Sequence, residues 1–211
     1  QLPLDHVLHS GMIQATSNPT KDSKFIYNAI DMTPANMRLL MGEKILEAAS
    51  ILVGAEHRHH VLLNNMNVRI DIPTGKQLIG WHQDYHYLFH DTEPNKTVSA
   101  WIPLETCEKE NGALEVAVGS HKRGLLKTKS VDKKDSNRDD YLVESDLLAG
   151  LTTCQVGVPR GSVLFLHINI AHRSGVNSSQ RVRYTTLARY NNAQLMKCLD
   201  DYHRPKYPVP K

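Results

Sequence analysis

The stretch GSVLFLHINIAHRSGVN, residues 161–177, decides how the rest of the chain is read. Its first half is rich in apolar, β-branched and aromatic residues, as a strand packed on one face requires. Its second half carries His172 into a Ser-Gly-Val-Asn turn, so an imidazole stands where a strand opens into a rim. A second stretch, GWHQDYHY (80–87), sets His82 and Asp84 two residues apart at the end of another apolar run. Residues i and i+2 of a strand share a face, with Cβ atoms near enough to grip one ion. His172, arriving from a distant strand, would complete a set of two imidazoles and one carboxylate. Such a set covers one face of an octahedral metal and leaves the other for ligands, which suits a non-haem Fe(II) that takes a cosubstrate and O2. His82, Asp84 and His172 are therefore the candidate metal ligands and the candidate catalytic centre.

Outward from these segments, residues 61–72, 78–84, 97–103, 114–118, 153–158, 162–170 and 183–190 read as strands from alternation and β-branched content. Residues 31–53 read as one long helix, with Thr33 as cap, Pro34 in the first turn and Gly54 as stop. Met37, Leu40, Met41, Ile45, Ala48 and Leu52 recur on one face of it, a pattern of core packing. The first thirty residues lack periodicity and are expected to form loops and short strands. Many short strands after a flanking helix predict a mainly β fold with flanking α-helices, a jelly roll with a small-molecule site at its mouth. Residues 122–146 mix Lys, Asp, Ser and Asn and are expected to be a surface insertion, a cover over the barrel, or both.

With 211 residues, 40% hydrophobic and 22% charged, the chain fits a single domain over 1–211. A net charge of +3 without a basic stripe argues against nucleic acid. The apolar runs are too short to span a bilayer, so no membrane partner is expected. No signal peptide is visible, and the chain opens at Gln1 without a Met, which leaves room for a missing N-terminal portion. Cys107, Cys154 and Cys198 are odd in number and form no CxxC, so they read as reduced thiols of a cytoplasmic protein. A monomer or homodimer acting on a small molecule is the expectation.

Other residues compete for these roles. His82, His86 and His90 would form a zinc-like stripe on a helix, but the aromatics between them favour a strand. His57, His59 and His60 read as an exposed turn, and His167, five residues before His172, as a packed strand residue. A cosubstrate with two carboxylates needs a cation at its far end. Arg183 opens the strand after the His172 turn, while Arg181 and Arg189 remain open alternatives by spacing. A hydrolytic zinc site should carry a Glu general base as in HExxH, and none is present. A zinc hydrolase or isomerase and a non-catalytic metal-binding barrel remain as alternatives.

Taken together, GWHQD, SAWIPLE, ENGALEVAVGSHK, GSVLFLH and AHRSGVNSSQRVRY resemble the core of the phytanoyl-CoA dioxygenase family over residues 64–191. The resemblance implies a double-stranded β-helix of the cupin-like kind, with Fe(II), 2-oxoglutarate and O2 as cofactor and cosubstrates. It implies iron ligation by His82, Asp84 and His172. Arg183, eleven residues past the last ligand, would bind the far carboxylate of 2-oxoglutarate, assisted by the Ser174 hydroxyl. Gln83 and Trp101 match pocket positions, and His121 a structural one. Retention of Asp84 implies oxygenation and not halogenation. The product would be a hydroxylated or otherwise oxidised small molecule, expected to be a specialised metabolite, with succinate and CO2 released. A fatty acyl-CoA is the alternative substrate, with Lys122, Arg123, Lys127 and Lys129 as cations for its phosphates. Val118 stands where relatives commonly have Pro, and the N-terminal portion is shorter than the family's.

Overall fold

The computed structural model describes residues 30–73, 75, 77–88, 94–132 and 139–195. Helix α1 (Pro34–Leu40) starts as the sequence predicts, with Thr33 Oγ1 accepting from the Asn36 amide at 3.3 Å. The single helix expected over 31–53 does not continue. Gly42 adopts φ −60° and ψ 136° and caps a second helix, α2 (Glu43–Val53). Glycine inside a helix costs about 1 kcal/mol relative to Ala, so the break falls at the weakest point of the segment. The break also re-aims the apolar face. Leu40, Ala49, Ser50 and Val53 are buried, whereas Met41 and Leu52, expected inside, are 44% and 51% exposed. Gly54 ends α2 with φ 64°, as expected, and the Ala55 amide donates back to the Ser50 carbonyl at 2.9 Å.

The strands follow as β1 (Val61–Asp71), β2 (Thr97–Pro103), β3 (Glu115–Ala117), β4 (Thr128–Asp132), β5 (Asp139–Val143), β6 (Thr153–Gln155), β7 (Leu164–His167), β8 (His172–Arg173) and β9 (Arg183–Asn192). A four-stranded antiparallel sheet has the order β1-β9-β2-β7, and a smaller sheet the order β6-β3-β8. Alternation along β2 and β9 builds two layers of core. Val98, Ala100, Ile102, Ala188 and Tyr190 face α1 and α2. Trp101 and Leu187 instead face the small sheet and pack with Leu114, Val116, Val158 and Leu166. Outward side chains of β9 also meet helix-end carbonyls: Tyr190 Oη donates to the Leu40 carbonyl at 2.7 Å and Asn192 Nδ2 to that of Gly54 at 3.0 Å. The architecture is mainly β with flanking helices around a jelly-roll core.

Three strand expectations change, and the one over 153–158 shortens to Thr153–Gln155. The strand expected over 78–84 is a bent segment that pairs only at His82, then tightens into a 3-10 turn over Asp84–Tyr87. Its backbone groups are held one at a time by different segments: Ser174 donates to Ile79, Val143 to Trp81, and Tyr85 to Ile168. No single neighbour offers it a ladder. Residues 162–170 shorten to Leu164–His167 for a related reason, since Ile168 and Asn169 turn their carbonyls to Tyr85 and to the Gln83 side chain.

The polar stretch 122–146 folds, where described, into the β4–β5 hairpin. Val143 joins Leu126, Leu148, Ala117 and Ala171 in a core cluster against which Trp81 packs. The hairpin thus leans on the segment that carries His82. Among the described residues, no helix is long and apolar enough to cross a membrane. Expectations for the first 29 residues, His90, Cys198 and residues 133–138 lie outside the described residues.

Candidate metal centre

His82 and His172 are brought together by an isolated antiparallel bridge. The His82 amide donates to the His172 carbonyl at 2.9 Å and the His172 amide to that of His82 at 3.0 Å. Their rings lie 4.2 Å apart. Each Nδ1 contacts the carbonyl two residues earlier, His82 to Gly80 at 2.8 Å and His172 to Ile170 at 3.0 Å. A carbonyl oxygen only accepts, so each Nδ1 must carry the hydrogen, and each Nε2 in the neutral ring keeps a lone pair. Asp84 follows at the start of the 3-10 turn. One ligand atom from each of the three side chains lies within 4.8 Å of the others, all in buried residues.

The charge states suit a cation. Burial, reinforced by His172, pushes His82 down to about 3, so it is neutral near pH 7. For Asp84 burial alone would raise the carboxyl. The Arg189 guanidinium, with His172 and His82, overcomes that and holds it well below the usual carboxylate range. A neutral His82 imidazole and the Asp84 carboxylate, with the His172 ring beside them, fit a first-row divalent ion.

The large sheet completes the surroundings of Asp84. Ser99 Oγ on β2 donates to Oδ2 at 2.5 Å, and Arg189 Nη2 on β9 to Oδ1 at 2.5 Å. Arg189 also reaches Asn65 Oδ1 at 3.2 Å, and is only 5% exposed. Neither Ser99 nor this role for Arg189 was read from the sequence. A signal existed in the two-residue period, which puts Arg189 on the face of Arg183 and Ser99 on the face of Trp101.

Arg183 lies at the other end of β9. Its Nη2 donates to Asp71 Oδ2 at 2.7 Å, Nη1 approaches Cys107 Sγ at 3.8 Å, and its buried Nε has no partner. Its guanidinium carbon stands 5.7 Å from the centre of the Trp101 ring, so these two expected pocket residues do meet. Gly112, with φ 84°, closes around them; a Cβ there would lie 3.3 Å from Arg183 Nη1. Arg181, by contrast, is exposed. Ser174 is buried, its amide donating to Ile79 and its carbonyl accepting from Gln77 Nε2 at 2.8 Å. Gln83 is fully buried with its amide engaged elsewhere. Nε2 donates to the Gly124 and Asn169 carbonyls, and Oε1 accepts from the Leu126 amide. His167 contacts Asn95 and His121 and not the cluster, as the sequence predicts.

Gly175 is the tightest point of the turn after His172. A Cβ there would stand 2.3 Å from the Ala113 carbonyl oxygen and 2.8 Å from Gln155 Nε2. Gly175→Ala is expected to destabilise the protein by at least about 2 kcal/mol, read as a lower urea midpoint. An unchanged midpoint would show that the turn relaxes freely.

A jelly roll that holds a buried His-Asp-His cluster between its two sheets has, by fold and donor set, a site that could hold one metal ion. The family follows from comparison: the chain belongs to the phytanoyl-CoA dioxygenase family, whose model matches residues 14–185. It is 29% identical over 120 residues to peroxisomal phytanoyl-CoA dioxygenase of Mus musculus, covering 56% of this chain and 35% of that protein. It is also 29% identical over 127 residues to L-proline trans-4-hydroxylase of Streptomyces griseoviridis, covering 53% of this chain and 47% of that enzyme. The chain thus spans from about a third to a half of the length of these curated relatives. The epimerase SnoN, solved with Fe3+, alpha ketoglutarate and nogalamycin RO, shares the fold with a TM-score of 0.62 at 18% identity, over 88% of this chain and 71% of that one.

Proposed function

We propose that this chain is an Fe(II)- and 2-oxoglutarate-dependent oxygenase that hydroxylates or otherwise oxidises a C–H bond of a small molecule. The observation that carries the reading is the pair of Nδ1–carbonyl contacts, which leaves Nε2 of His82 and of His172 as donors beside the Asp84 carboxylate. These three residues would hold the iron. When bound, iron and 2-oxoglutarate supply O2 activation, with succinate and CO2 as products. Arg183 would take the far carboxylate of the cosubstrate, which its unpartnered Nε supports. The Trp101 ring beside it keeps that end dry. Ser174 is assigned a hydroxyl contact there by family resemblance. Gln83 ties the 124–126 and 169 backbones to the segment between His82 and Asp84, and in this reading it positions both ligands.

A small metabolite is the favoured substrate class. An acyl-CoA would need cations for its phosphates, and Arg123 is committed to the Leu147 and Ala149 carbonyls at 2.6 and 3.1 Å. Lys129 faces Glu144 at 3.2 Å. The hydroxylase relative named for L-proline fits a compact substrate.

The test is succinate release from the protein with Fe(II), 2-oxoglutarate and O2 across amino acids, polycyclic metabolites and acyl-CoAs. Arg183→Ala is expected to raise the 2-oxoglutarate requirement by a factor of about 100, since a buried carboxylate loses a charge-assisted fork. Arg183→Lys should recover part of it. No succinate from any mixture, or an unchanged requirement in Arg183→Ala, counts against the assignment.

A further inference from the structure

We propose that Asp71 sets the strength and selectivity with which the barrel holds the far end of its cosubstrate, by occupying one corner of the Arg183 guanidinium. The inference rests on the cosubstrate reading above and concerns which terminal group that site accepts.

Asp71 closes β1 and Arg183 opens β9, and the two are direct partners in the antiparallel register. Both side chains are 3% exposed. Arg183 has five N–H hydrogens to satisfy. Asp71 Oδ2 takes Nη2, Nη1 has the weakly accepting Cys107 sulfur, and Nε has nothing. A buried cation in this state is an anion site that is half neutralised and still short of acceptors. Burial pushes the Asp71 carboxyl up against the pull of Arg183, in keeping with a charge that is poorly accommodated where it stands.

Asp71 is also anchored. Asn177 Nδ2 donates to its carbonyl at 3.0 Å and to that of Arg181 at 2.9 Å, which pins the end of β1 to the turn before β9. A carboxylate arriving at Arg183 would therefore lie beside a second carboxylate, carried on a pinned backbone, in a dry site. Like charges at that range repel strongly when water is excluded. A neutral carboxamide end would meet no such opposition, because its carbonyl can accept from Arg183 while its N–H donates to Asp71. The geometry thus makes Asp71 a selectivity-determining residue: it weakens a 2-oxo dicarboxylate and tolerates the corresponding terminal amide.

The experiment is anaerobic titration calorimetry of the Mn(II)-loaded full chain with 2-oxoglutarate and with 2-oxoglutaramate, its terminal amide. Wild type is expected to bind the two within about tenfold of each other, a difference of about 1.4 kcal/mol or less. Asp71→Asn, which keeps the shape and an acceptor oxygen, should tighten 2-oxoglutarate by about tenfold or more and widen the ratio. A weaker or unchanged affinity for 2-oxoglutarate in Asp71→Asn overturns the proposal, as does a wild-type preference for it of more than about 100-fold. Thermal melting and Mn(II) affinity establish that the variant folds, and if it does not, the wild-type ratio decides alone. Binding with an unmoved ratio overturns only the role of Asp71. Absence of binding by both compounds to wild type overturns the cosubstrate reading and this inference with it.

Discussion

Asp84→Gly is expected to lose divalent metal by more than about 100-fold in affinity, beyond the 10–100-fold that loss of an outer partner of a metal ligand brings. The variant removes the carboxylate of the donor set and leaves the two imidazoles. It also leaves Arg189 buried without its anion, and breaking a buried pair from one side costs about 3–5 kcal/mol. Asp84→Asn keeps the shape and separates the two effects: it should fold better than Asp84→Gly while still losing the metal. Mn(II) titration followed by calorimetry or magnetic resonance reads the affinity, and succinate release reads turnover. Mn(II) affinity close to wild type in both variants would remove Asp84 from the ligand set.

Arg189→Met should behave differently with and without metal. The variant is similar in length but uncharged, so Asp84 keeps only the Ser99 hydroxyl. In the metal-free protein an uncompensated carboxylate remains in a buried site, and a loss of about 3–5 kcal/mol is expected, or roughly 10 °C in melting temperature for a chain of this size. A bound divalent cation supplies the missing positive charge, so the loss in the Mn(II)-loaded protein should be markedly smaller. The acid side of the stability profile carries the same signature. The depressed carboxyl of Asp84 contributes stability that is present above the unfolded-state value near 4 and is lost as pH falls below it. Arg189→Met should flatten that acid-side loss in the metal-free protein. Equal melting losses with and without Mn(II) would reduce Arg189 to a packing residue.

These two experiments concern residues of unequal visibility. His82, Asp84 and His172 were legible because metal ligation demands particular donor atoms, and HxD with a distant His keeps that demand in recognisable form. Strands β1, β2 and β9 were legible because each is long enough for alternation to accumulate. Short or bent elements were not. Strand β8 has two residues, too few for any period, and the His82 segment is held by single hydrogen bonds from separate parts of the chain. The β4–β5 hairpin hid behind its composition, since Lys, Asp and Ser have low strand preference and the pairing is made by backbone groups. Gly42 was visible, but its backbone angles were not, and one extended ψ divided a helix and turned its buried face.

The sequence by itself picked out the His-Asp-His candidates, the mainly β class and the strands long enough to show a period, because each is written in residue types or local spacing. Tertiary structure alone decided the electrostatics around those donors. Arg189 meets Asp84 across 105 residues of chain, and Arg183 meets Asp71 across 112. Spacing favoured Arg183 for the cosubstrate and left Arg181 and Arg189 as alternatives. The sheet separated them, pairing Arg189 with Asp84 and Arg183 with Asp71, because register on β9 fixes which buried carboxylate each cation can reach.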